Sequence, residues 1–223
     1  MSATITLARQ DGINLIQHIN DVDKKQGLSF HCVGCGKEMI VVKSEARKKD
    51  WHFRHSEDTL CTGGRDKALH NYAVQILMEN KAIRITKSLN IEYSEPRKEV
   101  SLFGKRSDVM VTYEKQYVHF EVFVTHDLDQ EKIDIYKNNK IKCVRVNLSD
   151  PKWLAASPEQ IKDEVLSQHG TKTSIYWEDE VLKPDDSNDW NFNLKHILIV
   201  IAAFIGVRYL WRLFFSSKRQ NLK

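Results

Sequence analysis

Cysteine is scarce in this chain, with four among 223 residues, and three of them (Cys32, Cys35 and Cys61) fall close together near the start. This scarcity and grouping argue against a disulfide framework and for a metal site in a reducing compartment. An excess of one charge is also missing. Lys and Arg number 34 against 30 Asp and Glu, a net charge of +4. That balance permits contact with nucleic acid but does not argue for it. The opening residues, MSATITLARQDG, lack the apolar core of a signal peptide, so the soluble part is expected to stay on the cytoplasmic side. Charged and apolar content are those of a globular protein, and the length suits one ordinary domain with attachments.

The cysteine group has a pattern. Phe30 leads into HCVGCGKEMIVV, a C-x-x-C-G knuckle running into an apolar strand. WHFRH reads as the returning strand, and Cys61 follows after a short loop. Cys32, Cys35, one histidine and Cys61 make a closed four-ligand set of the kind that holds structural Zn²⁺ on a β-hairpin. His55 is preferred over His52, because it ends the strand and lies nearer Cys61. The alternative is a set of reduced structural cysteines with surface histidines.

Thr4 to Ala8 alternate like a strand, and the mixed polar segment up to Leu28 carries little signal. Gly63 and Gly64 break the chain before a helix expected from about Asp66 to Asn80, with Leu69, Tyr72, Ala73, Ile76 and Leu77 on its buried stripe. Asp66 and His70 lie one turn apart on its flank. Leu89, Ile91 and Tyr93 alternate in a strand, the polar SEPRKE follows, and Val100 to Phe103 form a short strand. Cys143 to Leu148 is a short buried strand in which Cys143 is a core residue. Ser157, Pro158 and Gln160 start a further helix. Strands with helices packed beside them give a mixed α/β core.

The central stretch is RSDVMVTYEKQYVHFEVFVTHDLDQEK, Arg106 to Lys132. Asp108 sits among Val109, Met110 and Val111, and Glu121 among Phe120, Val122 and Phe123. An acid inside an apolar strand costs free energy unless it is paired, and two on neighbouring strands point to a shared cation. They face one side only if the connecting loop is even, for example Glu114 to Tyr117, which sets Glu121 opposite Met110 with Asp108 as its diagonal neighbour. Asp127 is expected to cap the following helix with Gln130 as return partner. Lys132 lies between Leu128 and Ile135 in that helix's apolar stripe. Two carboxylates and a lysine suit a Mg²⁺-dependent phosphodiesterase. They also suit a structural ion pair.

From Trp177 to Trp190 the chain turns acidic, and Ile197 to Val207 is wholly apolar. With the residues up to Phe215 this run reaches about a bilayer's length. Arg208 and Arg212 interrupt it near its C-terminal end, where long side chains snorkel. A single C-terminal transmembrane helix is expected, with an interfacial or partner-binding helix as the alternatives. The basic Lys218, Arg219 and Lys223 favour a cytoplasmic C-terminus. The thiolates and the missing export signal favour a cytoplasmic N-terminal domain instead, and that orientation is preferred.

The order F-x-C-x-x-C-G, HFxH, Cys, then a helix carrying His, followed by R-x-D-V, E-V-x-V-T-H and D-x-x-K, resembles the competence protein CoiA-like nucleases. The resemblance runs roughly from Phe30 to Leu148. It implies a restriction-endonuclease-like PD-(D/E)xK fold: a mixed sheet core behind an N-terminal zinc-binding element. It also implies a hydrolase that cleaves DNA with Mg²⁺ or Mn²⁺. Asp108 and Glu121 match the two metal-binding acids and His70 the helix histidine. Asp66 stands where the family has a glutamate. Phe123 replaces the usual lysine, and Lys132 resembles the displaced lysine of some relatives. The division expected is a strand and zinc element over 1–64, a nuclease-like core over 65–170, an acidic linker over 171–193, a membrane helix over 194–216 and a basic tail over 217–223.

Two functions follow as expectations: a membrane-tethered nuclease that processes or defends against foreign DNA, or a degenerate nuclease fold that serves as a nucleic-acid-binding scaffold. The tail can be tested separately. A chain ending at Asp186 is expected to leave the membrane fraction, because the main apolar run begins at Ile197. Full-length protein that is soluble without detergent rules out a spanning helix.

Overall fold

The computed structural model describes residues 4–44, 46, 51–57 and 61–177. The expected membrane helix, the basic tail and most of the acidic linker lie outside them. The chain divides into two units, Met1–Val181 and Leu182–Lys223, and every described residue belongs to the first. Among the described residues, no helix is long and apolar enough to cross a membrane.

Five short strands build the N-terminal sheet: β1 (Leu7–Gln10), β2 (Ile16–His18), β3 (Phe30–His31), β4 (Glu38–Val42) and β5 (His52–His55). Their order is β2-β1-β3-β4-β5, and every pair is antiparallel. Phe30 and Phe53 are buried with ring centroids 5.0 Å apart, and Ala8, Ile19, Val22 and Met39 close around them. The first strand begins later than its alternation implies. The polar segment before Leu28 contains β2, whose three residues are too few to show a period. A helix side chain covers this edge strand. Gln75 Oε1 accepts from the Ile16 N–H at 2.7 Å and its amide donates to the Ile16 carbonyl at 3.4 Å.

Helix α1 (Gly64–Glu79) buries Ala68, Leu69, Ala73, Val74, Ile76 and Leu77. It begins two residues before the expected Asp66. Gly64 is its first residue, and Gly63, with a φ of 72°, is the left-handed cap before it. Strands β6 (Ala82–Arg84) and β7 (Asn90–Glu92) form a separate antiparallel pair.

The second sheet is built from β8 (Ser94–Leu102), β9 (Lys105–Tyr113), β10 (Gln116–Phe123), β11 (Lys142–Asn147) and β12 (Lys172–Tyr176), in the order β12-β11-β10-β9-β8. Helix α2 (Gln130–Asn138) makes the crossover between β10 and β11, which are parallel. The other neighbours are antiparallel, so the sheet is mixed. Helix α3 (Pro158–Leu166) starts with a capping box between Ser157 and Gln160. Tyr93 joins α1 to the sheet. Its hydroxyl donates to the Leu77 carbonyl at 2.7 Å, and its ring lies 5.9 Å from that of buried Phe120. Tyr136 of α2 packs on the opposite face, against His119.

Three expectations change here. The strand expected from Val100 begins earlier, and the polar SEPRKE is the first part of β8. An exposed edge strand needs no apolar pattern, accepts Pro96, and is kept from sticky pairing by charge and irregularity. Its register shifts between Ser94 and Arg97, and Glu95 and Glu99 have φ of 49° and 53°. Residues 171–177 are not linker throughout, because β12 pairs with β11. The β9–β10 loop is even but has two residues, Glu114 and Lys115, since Tyr113 pairs with Gln116. The register runs to Val109 opposite Phe120. One step further places Asp108 directly across from Glu121, with Met110 opposite His119 instead.

Glu114 and Lys115 both have positive φ, 48° and 64°, the geometry of the tight hairpin turn that favours Asn-Gly. A side chain there costs roughly 1 kcal/mol. Lys115→Gly is expected to raise unfolding stability by about that amount, read as a higher denaturant midpoint. An unchanged or lower midpoint means that this turn stores no strain.

Candidate functional site

The knuckle between β3 and β4, the end of β5 and the residues before α1 bring Cys32, Cys35, His55 and Cys61 together. Their ligand atoms all lie within 4.8 Å of one another. Cys32 Sγ and Cys61 Sγ are 3.6 Å apart, and Cys35 Sγ and His55 Nε2 are 3.3 Å apart. Tetrahedral Zn–S bonds of about 2.3 Å imply S···S edges of about 3.8 Å, so this group can hold a structural metal such as zinc. The donor set fits as well as the spacing. Burial, reinforced by the neighbouring sulfurs, pushes the Cys61 thiol up to about 11. Crowded thiols are poor company, and a coordinated cation converts them to paired thiolates. His55, not His52, belongs to the group.

Two glycines make room for it. A Cβ on Gly64 would lie 2.8 Å from Cys61 Sγ and 3.0 Å from Cys32 Sγ, and one on Gly34 would lie 2.5 Å from the Gly64 Cα. The knuckle backbone therefore presses on the first residue of α1, and the sulfur cluster fixes where that helix begins. This contact explains the early helix start noted above.

One and a half turns further along α1, His70 faces a cleft of about 730 Å³. Its wall also includes Asp66, Lys67, Asp108, Glu121, Phe123, Asp127, Asp129, Lys132 and Arg145. The four residues singled out from sequence meet here in two pairs. His70 Nε2 lies 3.1 Å from Asp108 Oδ2, and that same oxygen accepts from the Val122 N–H at 2.8 Å. Lys132 Nζ donates to Glu121 Oε2 at 2.7 Å, and the Tyr136 hydroxyl donates to Glu121 Oε1. Asp66 accepts from Thr125 Oγ1 at 2.8 Å.

The electrostatics differ between the two acids. Glu121 is only 3% exposed. Burial and then the charge of Asp108 push its carboxyl up to about 7, against the pull of Lys132 and Tyr136. Burial also acts upward on Asp108, but the hydrogen bond and charge of His70, the Val122 N–H and Lys132 together hold it below the usual carboxylate range. For His70, burial acts downward, and the bond to Asp108 outweighs it and raises the imidazole.

Some details of the sequence reading change. The N-cap of α2 is Asp129, which accepts from the Lys132 N–H at 2.7 Å. Asp127 lies outside the helix and accepts from the Leu128 N–H at 2.8 Å and from Arg145. Gln130 turns to Asp134. Two further residues shape the cleft. Tyr136 is fully buried and one turn beyond Lys132, so the stripe that flagged the lysine also contained it. Arg145 is a charged residue inside the apolar strand 143–148, the same anomaly that marked Asp108 and Glu121.

The cysteine–histidine group yields a direct test. Purified protein is expected to carry about one zinc per chain, and Cys35→Ala to lose it along with stability, because binding energy at a structural site is folding energy. Elemental analysis that finds no metal in well-folded wild-type protein rejects the assignment.

Compared with protein-family models, curated proteins and solved structures, the chain matches none.

Proposed function

We propose that the protein is a metal-dependent nuclease of the restriction-endonuclease-like type that hydrolyses phosphodiester bonds of DNA. The carrying observation is the cleft in which Asp108 and Glu121 come across from each other on a β-hairpin, flanked by His70 from one helix and Lys132 from another. A mixed sheet with one parallel crossover, bearing its acids on adjacent inner strands, supports the same reading. The donor set suits Mg²⁺ or Mn²⁺, since both acids offer hard oxygens. The cleft wall carries five acids (Asp66, Asp108, Glu121, Asp127 and Asp129) against Lys67, Lys132 and Arg145, so it has room for added positive charge. When held there, the ion polarises a phosphoryl oxygen and makes bound water acidic.

The chain's own groups do the rest. His70 fixes the Asp108 carboxylate and can hold a proton at Nε2. Tyr136 and Lys132 orient Glu121 from both of its oxygens. Lys132, which lines the cleft beside Glu121, would supply an ammonium to offset charge developing on a phosphate bound there. In this reading the zinc element is structural and the apolar run near the C-terminus tethers the enzyme to a membrane, with the cleft on the cytoplasmic side. Processing of incoming DNA, or defence against it, suits that placement.

A second reading is favoured by one observation: both Glu121 oxygens are already engaged by protein donors. A degenerate, nucleic-acid-binding scaffold would keep them so. The two readings separate on incubation with DNA and with RNA in Mg²⁺ or Mn²⁺ against EDTA. Asp108→Asn and Glu121→Gln keep side-chain size and are each expected to lower cleavage about a hundredfold or more, with zinc content unchanged. Wild-type protein that binds DNA but never cuts it supports the scaffold. Full cleavage by either variant removes these acids from the mechanism.

A further inference from the structure

The sequence lacks a lysine two residues after Glu121, where Phe123 stands. The structure supplies a cation beside that position from another strand. In the parallel register of β10 and β11, Arg145 pairs with Glu121, and Phe123 with Asn147. The Arg145 guanidinium carbon lies 5.8 Å from the centroid of the Phe123 ring, within the range of a cation–π contact. Its Nη1 donates to Asp127 Oδ2 at 2.5 Å, and its Nε is buried without a hydrogen-bond partner among the described residues. The side chain is 22% exposed and lines the cleft. Lys132 is committed to Glu121. Arg145 is thus a half-satisfied guanidinium at the cleft wall, steadied by an aromatic ring on one side and a surface carboxylate on the other.

We propose that Arg145 is a phosphate-binding residue of this cleft, with Phe123 as its platform and Asp127 as the carboxylate that a phosphodiester displaces. The proposal rests on the nuclease reading for its substrate class, and its geometry stands apart from the proposed chemistry at Asp108 and Glu121. Guanidinium presents a planar fork of donors that matches a phosphate's oxygens, and a point-charge ammonium does not. An exchange of one anion for another leaves the desolvated cation paired throughout, which keeps its burial tolerable. Phe123 is then not a lost catalytic position. A lysine there would crowd and repel the arginine that the ring supports.

The test uses the full-length chain, a labelled DNA duplex and a labelled single strand, with binding read in Ca²⁺ and cleavage in Mg²⁺. Arg145→Met is expected to weaken binding about tenfold or more, the size of one charge-assisted hydrogen bond. It is also expected to reduce the slope of log affinity against log salt by about one phosphate contact. Asp127→Asn is expected to act in the opposite direction and tighten binding, because it frees the guanidinium. A merely structural ion pair predicts that both variants lose binding alike, and that result overturns the proposal, as does wild-type affinity in Arg145→Met. If the methionine variant does not fold, Arg145→Lys keeps the charge without the fork; the expected result is intermediate binding, and undiminished binding overturns the proposal. Wild-type protein that binds but does not cut, with binding lost in Arg145→Met, removes the nuclease reading and keeps the phosphate site. Wild-type protein that does neither ends both.

Discussion

Glu121 is the constraint to which the cleft answers. A carboxylate that is 3% exposed in the middle of a sheet is costly unless its oxygens are paired. Two residues of one helix meet that need: Lys132 on one oxygen and Tyr136 on the other. They stand one turn apart, so the acid fixes both the position and the rotation of α2. That helix makes the parallel crossover, so its seating also governs how β11 lies against β10. Arg145 reaches the cleft only because of that pairing. Removing Lys132 alone would leave the acid buried beside Asp108 without its cation, a change that costs stability as well as any chemistry. The lysine is therefore both a fold residue and a site residue, and its loss cannot be read as catalytic on activity alone.

The cysteine–histidine group acts on the same cleft from the other side. The sulfurs of Cys32 and Cys61 leave no room for a side chain on Gly64, and α1 begins on that residue. From this fixed start the helix carries Asp66 and His70 to the cleft wall. Gln75, further along, ties the helix to the edge of the N-terminal sheet. The cluster therefore does more than staple a hairpin. It fixes the helix whose histidine holds Asp108.

Residues that contradict their surroundings were the legible part of the sequence. Asp108 and Glu121 stood out as acids within apolar strands, Lys132 as a cation within an apolar stripe, and the cysteines by their spacing. Each anomaly has a local physical cost, which is why it is visible without a structure. What stayed hidden was relational. The two-residue turn at Glu114 and Lys115 lacks the Asn-Gly signal that marks such turns, so the register expected from the sequence lies two residues from the true one. The first half of the edge strand β8 carries no strand pattern, because an exposed edge is free to be polar. Tyr136 conforms to its helix pattern and so is unmarked in the sequence, although its hydroxyl completes the pairing of Glu121. Arg145 broke pattern as plainly as the two acids, but its meaning depends on a parallel neighbour that no local periodicity reveals.

The cleft's charge balance ties these parts together. Its wall has five carboxylates against three permanent cations, and two of those cations are already spent, Lys132 on Glu121 and Arg145 on Asp127. A polyanion approaching such a wall meets net repulsion at close range, where the low dielectric makes it felt. Two changes reverse the sign. In the proposed site, a divalent ion held by Asp108 and Glu121 would neutralise two of these acids. The proposed exchange of Asp127 for a phosphate would turn Arg145 from an internal partner into an external one. Under both proposals the same substrate drives both changes, since a phosphodiester brings negative charge to the ion and to the arginine together. The resting protein can then keep its acids paired internally at little cost, and the charges of the site become available only as a phosphate arrives to claim them.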